Sequence, residues 1–333
     1  MISAIVVDGV WPAATLVTTI STMRIISFAT ADSHWKSPRM GIILHTNGRD
    51  SGERLDCEKL FEPAEHPANP LAWFDMDGRW FQRAHDTAVR LERDVRAMND
   101  AREKGWLVPS GDAYWFAPVP RPGKIVCVGL NYRDHAEESR LAVPKTPVIF
   151  SKFSSCVIAP GEAVVIPVSS EKVDYEAELA IVIGRRASHV TADRAYHHVL
   201  GYTAFNDVTA RDFQFADGQW QRGKSCDTFA PMGQTIVTTD EIPDPHTLRI
   251  TMTVNGIVMQ DSNTSQMIFR VPEIIEFITN SITLEPGDVI ATGTPAGVGF
   301  ARKPPVFLEP GDRMEVDIER IGGLGNPVEA GNA

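Results

Sequence analysis

Cysteine is scarce in this sequence, and its few copies are scattered. The four residues, Cys57, Cys127, Cys156 and Cys226, form no C-x-x-C pair and no other spacing typical of a metal ligand set. We therefore expect neither a disulfide framework nor a thiolate zinc site. A reduced, intracellular chain is the simplest interpretation of this pattern.

Basic residues are also in the minority, since 32 Lys and Arg stand against 43 Asp and Glu and give a formal net charge of −11. This balance disfavours a nucleic-acid partner and leaves no obvious basic patch for a membrane surface. Any affinity for small anions must therefore be built locally, by a few side chains in one site.

A long hydrophobic run and a basic leader are both missing from residues 1–22. Asp8 is their only charged residue, and Pro12 interrupts the short apolar run. A signal peptide needs a basic n-region, a transit peptide needs arginines, and a membrane span needs about 20 apolar residues. We expect residues 1–22 to be an extension of unknown role on a chain that is cytoplasmic or mitochondrial and not secreted.

The sequence does have the length and the apolar content for a large core. With 333 residues, 43% of them hydrophobic, one large domain and one smaller domain are expected. Apolar residues at helical spacing predict a helix over residues 83–104, and the proline-rich APVPRPGK at 117–124 is typical of a linker. We therefore divide the chain into a small N-terminal domain, 23–116, and a main domain, 117–333.

The region after the linker is rich in predicted strands. Turns with the sequences APGE at 159 and EPGD at 285 and 309 lead into strands, because Pro fixes φ and Gly permits positive φ. Residues 271–282 form one of only two or three convincing helices. These features favour a mixed α+β, β-rich fold with a barrel or rolled sheet over a βαβ repeat. The predicted strands cover 124–130, 147–150, 163–167, 177–184, 248–256, 288–293 and 314–319.

Two carboxylates interrupt an apolar strand in VDYEAELAIVIG, residues 173–184. Side chains at i and i+2 of a strand share a face, so Glu176 and Glu178 should lie side by side. Two like charges at that distance need a cation or a proton between them, unless the strand face is simply exposed to solvent. Asp207 follows the next strand-like segment. Three carboxylates on adjacent strands suit Mg²⁺, with Mn²⁺ or Ca²⁺ as alternatives and zinc as the weaker choice.

Six motifs follow one another along the second half of the chain: GLNYRDHAEE, FSKFSS, VDYEAELAIVIG, NDVTARDFQ, RGKSCDTFAPMG and ATGTPAGVG. With them the sequence resembles the fumarylacetoacetate hydrolase superfamily, strongly over about residues 120–333. The segments NTSQMIF and GFARKPPVFLEPGD make it most similar to the group whose members are oxaloacetate tautomerases. The resemblance implies a β-sandwich roll around a carboxylate-bound Mg²⁺, a small oxo-acid substrate and a homodimer.

The resemblance also implies roles for individual residues. Three positions fall on the family's metal ligands, three on residues near the bound substrate, and three on catalytic groups. In that order they are Glu176, Glu178 and Asp207; Arg211, Gln214 and Thr294; and Lys224, His135 and Glu138, the last two being a pair that some small members carry on a mobile lid helix. A fourth metal carboxylate of the true fumarylacetoacetate hydrolases is replaced here by Val128, which favours smaller substrates.

Two of these residues have a structural interpretation that is as good as the functional one. Lys224 is either a proton carrier, because desolvation or a nearby metal lowers the pKa of an ammonium, or a counter-ion of the carboxylates. Arg211 either offers its planar fork to a second substrate carboxylate or pairs with Asp212 or a metal-shell carboxylate. His135 and Glu138, at i and i+3 on one helix face, suit a proton acceptor and the group that holds its tautomer.

The predicted function is that of a Mg²⁺-dependent enzyme that acts on a small α-keto acid through a metal-stabilised enolate. Oxaloacetate keto–enol tautomerisation is the first expectation. Hydrolysis of a C–C bond in acylpyruvates or fumarylpyruvate, or decarboxylation of oxaloacetate, is the second, because the metal site does not choose among these reactions. A non-catalytic binding or scaffold protein is the alternative from another class, although it would not need the whole set of acidic and basic residues.

Overall fold

The computed structural model describes residues 23–30, 38–46, 48–216 and 218–332. The predicted extension at residues 1–22 lies outside the described residues. The described strands are β1 (Arg24–Ala29), β2 (Arg39–Thr46), β3 (Arg49–Asp56), β4 (Leu107–Pro109), β5 (Tyr114–Phe116), β6 (Ile125–Gly129), β7 (Val148–Lys152), β8 (Val157–Ile158), β9 (Val164–Ile166), β10 (Val173–Asp174), β11 (Ala177–Ile183), β12 (Val199–Asn206), β13 (Thr209–Ala210), β14 (Ala230–Pro231), β15 (Ile236–Thr238), β16 (Arg249–Val254), β17 (Ile257–Asn263), β18 (Val289–Ala291), β19 (Arg313–Ile318) and β20 (Gly322–Ala330). The described α-helices are α1 (Arg79–Arg93), α2 (Val95–Glu103), α3 (Arg133–Ser139), α4 (Arg211–Ala216), α5 (Gln221–Lys224) and α6 (Val271–Thr279).

One large sheet joins the N-terminal strands to those of the main domain. Its order is β4-β3-β2-β1-β15-β12-β11-β18-β6-β7, and β5 also pairs with β1. Within this sheet the two parts meet at the antiparallel pair of β1 and β15, in which Arg24 lies opposite Val237. The boundary predicted at 117–124 falls between β5 and β6 and stays a prediction, because hydrogen bonding continues from one part into the other.

The strand β11 is apolar on both faces, which explains its place inside the sheet. Leu179 and Ile181 belong to one hydrophobic core. Ala180 and Val182 belong to a second core, which also contains the buried side of α1. Because side chains alternate along a strand, a strand buried on both faces has a nearly continuous apolar sequence. β11 therefore lies between the two cores, and packing on both faces fixes the positions of the residues at its ends.

The helix predicted over residues 83–104 is in fact two helices, α1 and α2, that meet at Asp94. Asp94 has extended backbone angles, φ −127° and ψ 107°, and its side chain accepts a hydrogen bond from the Arg96 N–H. This contact caps the first turn of α2. The chain therefore bends at Asp94 although the helical spacing of apolar residues continues past it, and the predicted single helix was wrong on this point.

A second sheet of five strands has the order β17-β16-β19-β20-β9, and three of these strands contact β11 or β12. Tight turns lead into strands as predicted, with Gly287 at φ 82° before β18 and Gly311 at φ 99° before β19. The fold is thus mixed α+β and rich in strands, as predicted. All four cysteines are free. No helix in the described part of the chain has both the length and the apolar character needed to cross a membrane.

Candidate active site and metal centre

Three buried carboxylates meet where β11 and β12 pair. Glu176 directly precedes β11, Glu178 lies on it, and Asp207 directly follows β12. The antiparallel register places Ala177 opposite Asn206, which brings these chain positions together. One oxygen of each carboxylate lies within 4.8 Å of the others. The three acids are thus neighbours, and their role as metal ligands stays a prediction.

Glu176 is held as an anion by two cations. Arg211 Nη2 donates to Glu176 Oε1 at 2.6 Å, and Lys224 Nζ donates to Oε2 at 2.7 Å. Burial acts to raise the pKa of Glu176, but the charges of Lys224 and Arg211 outweigh it, and the pKa falls to about 2. Glu176 is therefore ionised at neutral pH and able to serve as a ligand.

Glu178 has the opposite environment. Its buried carboxylate accepts a hydrogen bond from the Gly293 N–H at 2.8 Å, and no Lys, Arg or His of the described residues forms an ion pair with it. Burial raises the pKa of Glu178 well above its ordinary value, and Asp207 and Glu176 raise it further. A divalent cation among the three carboxylates would supply the missing positive charge. The donor set therefore fits a hard cation with oxygen ligands.

Asp207 is paired with two lysines, one of which had no predicted role. Lys224 Nζ donates to Asp207 Oδ2 at 2.7 Å, and Lys152 Nζ donates to Oδ1 at 2.5 Å. Lys152 also donates to the Val208 carbonyl at 3.0 Å, and its side chain is completely buried. The signal was present in the FSKFSS motif, where this lysine ends β7. A single lysine does not reveal which strand face it occupies, so its partner could not be predicted.

Lys224 bridges Glu176 and Asp207 and thereby acts as their shared counter-ion. Burial acts to lower the pKa of Lys224, but the charges of Asp207 and Glu176 outweigh it and the pKa is raised. An ammonium with a raised pKa holds its proton firmly at neutral pH. This environment favours the counter-ion interpretation of Lys224 over the proton carrier.

The guanidinium of Arg211 is occupied by carboxylates of the site and not by Asp212. Its Nε donates to Asp174 Oδ2 at 2.9 Å, and its Nη2 donates to Glu176 Oε1. Its Nη1 donates to the side-chain carbonyl of Gln214 at 3.0 Å. Arg211 is therefore paired with Glu176, a predicted metal ligand, and with Asp174, and each nitrogen of its guanidinium already has a partner without a substrate.

Asp174 is a second buried residue that had no predicted role. Besides pairing with Arg211, it accepts hydrogen bonds from the N–H groups of Tyr175 at 2.8 Å, Gly299 at 2.7 Å and Phe300 at 3.1 Å. It thus fastens the loop around residue 300 to the end of β10, two residues before Glu176. The sequence DYEAE contains the signal, because an acid at every second position continues the strand-face pattern of the two glutamates.

The predicted His and Glu pair lies on α3. His135 Nδ1 lies 3.5 Å from Glu138 Oε2, close enough for an ion pair if His135 is protonated, and this buried nitrogen has no hydrogen-bond partner among the described residues. The Gly297 N–H donates to both oxygens of Glu138, at 3.1 and 3.0 Å. Burial opposes the charged form of Glu138, but the contacts with His135 and Gly297 outweigh it and lower the pKa. Because Nδ1 faces Glu138, Nε2 of His135 is the nitrogen left for a substrate proton.

Thr294 is the residue whose predicted substrate contact is least supported by its hydrogen bonds. Its hydroxyl donates to the Ala177 carbonyl at 2.9 Å and accepts from Gln260 Nε2 at 2.8 Å. Gln260 also accepts from the Ala177 N–H at 2.9 Å. The Thr294 hydroxyl proton is therefore used inside the protein, and a substrate contact at this residue would need another atom.

A cavity of about 310 Å³ opens onto these residues. Two clefts are larger, at about 820 and 710 Å³, and the second shares Phe150 and Trp220 with this cavity, but neither is lined by the carboxylate cluster. Val128, which the resemblance aligns with a fourth metal carboxylate of the true fumarylacetoacetate hydrolases, is buried and lines the cavity. The predicted residues that line it as well are Glu176, Glu178, Arg211, Gln214, Lys224, His135 and Thr294.

Comparison with protein families places this site in a known context. The family model described as "Fumarylacetoacetate (FAA) hydrolase C-terminal" matches residues 124–329. The rat protein named oxaloacetate tautomerase Fahd2a, mitochondrial, is 46% identical over 243 residues, which are 72% of this chain and 78% of the rat protein. The Xenopus laevis protein named oxaloacetate tautomerase fahd2, mitochondrial, is 40% identical over 308 residues, 92% of this chain and 90% of that protein.

Solved structures that resemble this chain include proteins of the same family as its sequence relatives. A fumarylacetoacetate hydrolase from the psychrophile Exiguobacterium antarcticum superposes with a TM-score of 0.73 at 35% identity, over 93% of this chain and 100% of that one. A 2-hydroxyhepta-2,4-diene-1,7-dioate isomerase from Mycobacterium marinum gives 0.69 at 34% identity, with the same coverage. Proteins named for different activities therefore share this fold, and the choice among reactions must come from the site.

Proposed function

The chain belongs to the fumarylacetoacetate hydrolase family, and we propose that within it this protein interconverts the keto and enol forms of oxaloacetate with the help of a divalent cation. The relatives named oxaloacetate tautomerase, at 40% and 46% identity, support this reaction. The observation that carries the proposal is the cluster of three buried carboxylates within 4.8 Å of one another, beside a cavity that is also lined by His135.

Glu176, Glu178 and Asp207 would hold the cation, which we propose to be Mg²⁺, with Mn²⁺ or Ca²⁺ as alternatives. When bound, the ion would supply Lewis-acid stabilisation of the negative charge that develops on the 2-oxo group of the substrate. Lys224 and Lys152 keep the carboxylates in place by neutralising part of their mutual repulsion. Their short contacts, 2.5 to 2.7 Å, fix the ligand oxygens before any ion arrives.

His135 is the proposed proton acceptor. Its Nδ1 faces the ionised Glu138, which fixes the ring and stabilises the imidazolium that forms when Nε2 takes a proton from C3 of the keto acid. The same nitrogen can return the proton to C3 in the reverse direction. Glu138 is in turn held by the Gly297 N–H, so the pair is tied to the loop that follows the predicted substrate residue Thr294.

We expect the main role of Arg211 to be the positioning of neighbouring side chains of the site, and not contact with the substrate. Its contacts with Asp174, Glu176 and Gln214 hold one metal ligand and one cavity residue in register. Gln214 remains a proposed substrate contact, since it lines the cavity and Arg211 uses its side-chain carbonyl and not its N–H₂ group. We also propose that the protein is a homodimer and that it is located in the cytoplasm or in mitochondria. The names of the two relatives, which include the word mitochondrial, support the mitochondrial location.

One assay tests the reaction. The purified protein is incubated with Mg²⁺ and oxaloacetate, and enol absorbance and pyruvate release are followed separately for the wild type, Glu176→Ala and His135→Gln, with His197→Gln as a matched exposed histidine. We expect faster enol decay without pyruvate, lost in Glu176→Ala, lowered about 10²–10⁴-fold in His135→Gln and retained in His197→Gln. Pyruvate release would instead identify a decarboxylase. No effect on either signal would exclude oxaloacetate, and hydrolysis of acetylpyruvate would then point to C–C bond cleavage.

A further inference from the structure

The charged cluster of Glu176, Glu178, Asp207, Arg211 and Lys224 forms what we call the floor of the cavity, and aromatic rings form its walls. From this difference we propose that the same site also tautomerises 2-oxo acids with an aromatic group on C3, the arylpyruvates. We propose further that it binds them more tightly than pyruvate. The proposal rests on the proposed function, because it uses the same floor and the same proton acceptor. What it adds is the class of substituent that the rest of the cavity takes.

One wall is the aromatic pair of Phe150 and Trp220. Their rings meet edge to face, with centroids 5.3 Å apart and planes at 71°. Gly129 makes room for the indole, since a Cβ on this residue would lie 2.7 Å from the Trp220 ring. Lys224 Nζ is 5.1 Å from the Phe150 centroid. This pair therefore reaches from the charged floor outward along the cavity.

A second aromatic pair, Phe215 and Phe300, also lines the cavity. Its centroids are 6.0 Å apart at an interplanar angle of 67°. The Arg211 guanidinium lies 4.4 Å from the Phe300 centroid, and the His135 ring meets Phe300 edge to face at 6.4 Å. Phe300 is fixed in this position by its N–H, which donates to Asp174. The second pair thus also begins at residues of the charged floor.

The cations that line the cavity are already paired within the protein. Lys224 is shared by Glu176 and Asp207, and Arg211 is held between two carboxylates. Beyond the 2-oxo acid head group, the aromatic rings are therefore the part of the lining that an apolar substituent on C3 would contact. An aryl group at the same place meets rings with which it can pack edge to face or offset.

The mouth of the cavity points to the same ligand class. Phe215 and Leu141, which both line it, are 61% and 57% exposed. An aromatic ligand group would remove part of this apolar surface from water, which favours its binding. The cavity volume of about 310 Å³ also lies within the range of roughly 300–1,000 Å³ found for sites of small organic ligands.

The reaction is an isomerisation and needs no co-reactant. Nε2 of His135 takes a proton from C3, and the electron pair of that C–H bond becomes the C2–C3 double bond. The π pair of the C2 carbonyl moves to its oxygen, which takes a proton from water, while Nε2 of His135 gives its proton back to water, so the enol has the same atoms as the keto acid. Nothing is oxidised or reduced, and the aryl group is a spectator that conjugates with the new double bond.

The test uses the full-length, Mg²⁺-loaded protein and two probes with the same head group, phenylpyruvate and pyruvate. Calorimetric titration gives both dissociation constants, and enol absorbance gives the rate of phenylpyruvate tautomerisation. We expect phenylpyruvate to bind at least about 10-fold more tightly than pyruvate and its enol to decay faster with protein than without. In Phe215→Ala the ratio of the two affinities should fall about 3-fold or more. The matched control Phe153→Ala, an exposed phenylalanine outside this cavity, should keep the wild-type ratio.

Three results would overturn the proposal: equal affinity for the two probes, an affinity ratio that Phe215→Ala leaves unchanged, or tight binding of phenylpyruvate without acceleration of its enol decay. Phenylpyruvate turnover without oxaloacetate turnover would refute the proposed function and support this inference. Oxaloacetate turnover without phenylpyruvate turnover would do the reverse. The two proposals can therefore fail separately.

Discussion

The floor of the cavity consists of charged side chains, whereas its walls consist of aromatic rings. On the floor, acidic and basic side chains lie 2.5 to 2.9 Å from one another, and Glu178 alone among the three clustered acids forms no ion pair with a described residue. The walls are aromatic rings that pack against one another. We infer that the floor decides whether a cation and a 2-oxo acid head group bind, whereas the walls decide which 2-oxo acid is preferred.

Substitutions should therefore act differently in the two regions. A buried charge that loses its partner costs several kcal/mol, because the remaining charge stays desolvated. A change in the wall alters packing with the ligand more than the stability of the chain. We expect the largest effects on the floor, intermediate effects at the residue that connects floor and wall, and the smallest effect at the mouth.

Lys152→Met should have the largest effect on stability. It leaves Asp207 with Lys224 as its remaining buried counter-ion, so the free energy of unfolding of the metal-free protein should fall by about 3 kcal/mol. Urea unfolding measures the change, and Lys145→Met, at an exposed lysine, is the matched control that should shift it by at most about 0.5 kcal/mol. An equal loss in both variants would show that the buried pairing contributes no special stability.

Glu178→Gln should abolish cation binding while leaving the metal-free fold at least as stable. The raised pKa of Glu178 means that its proton is held more tightly in the folded than in the unfolded chain. Metal-free wild type should therefore lose stability as the pH rises above the ordinary carboxyl value and through the raised pKa. Glu178→Gln should not show this loss, because it has no proton to release there.

The check is thermal unfolding from pH 5 to 9, with EDTA and with Mg²⁺. Mg²⁺ should stabilise the wild type at high pH and leave Glu178→Gln unchanged. Calorimetry should show a loss of Mg²⁺ affinity greater than the roughly 10–100-fold that removal of an outer partner costs. Retention of wild-type Mg²⁺ affinity in Glu178→Gln would contradict the assignment of this residue as a ligand.

Asp174→Asn tests the connection between floor and wall. The change removes one of the two carboxylate charges that Arg211 pairs with and weakens the acceptor for the Gly299 and Phe300 N–H groups. We expect kcat/KM for oxaloacetate to fall about 10–100-fold, as is usual for residues that orient a ligand shell. Asp227→Asn, at an exposed aspartate, should leave it unchanged. A wild-type kcat/KM in Asp174→Asn would show that floor and wall are independent.

Ser139→Ala should have the smallest effect. Ser139 lines the cavity, and its Oγ is buried without a hydrogen-bond partner in the described part of the chain. A substrate oxygen would be its natural partner, so KM should rise about 2- to 10-fold, the value of one neutral hydrogen bond. Steady-state kinetics measure the change. An unchanged KM together with a higher melting temperature would mean that Ser139 is only a buried hydroxyl.

Strand alternation was enough to place Glu176 and Glu178 together, because the side-chain period of a strand is fixed by its backbone. It could not place Lys152 or choose the partners of Arg211. Those contacts depend on which strands become neighbours, a property of the whole sheet. The same limit explains the helix broken at Asp94, where one capping side chain outweighed apolar spacing that continued for another two turns.

The central claim is that one divalent cation binds among Glu176, Glu178 and Asp207. The most direct measurement is anomalous diffraction from a crystal of the protein soaked with Mn²⁺ and oxalate. We expect a single strong peak with one oxygen of each carboxylate at about 2.0–2.6 Å, the range for hard cations, and with oxalate between the ion and His135. A peak at any other group of acids, or none at these three under saturating Mn²⁺, would contradict the claim.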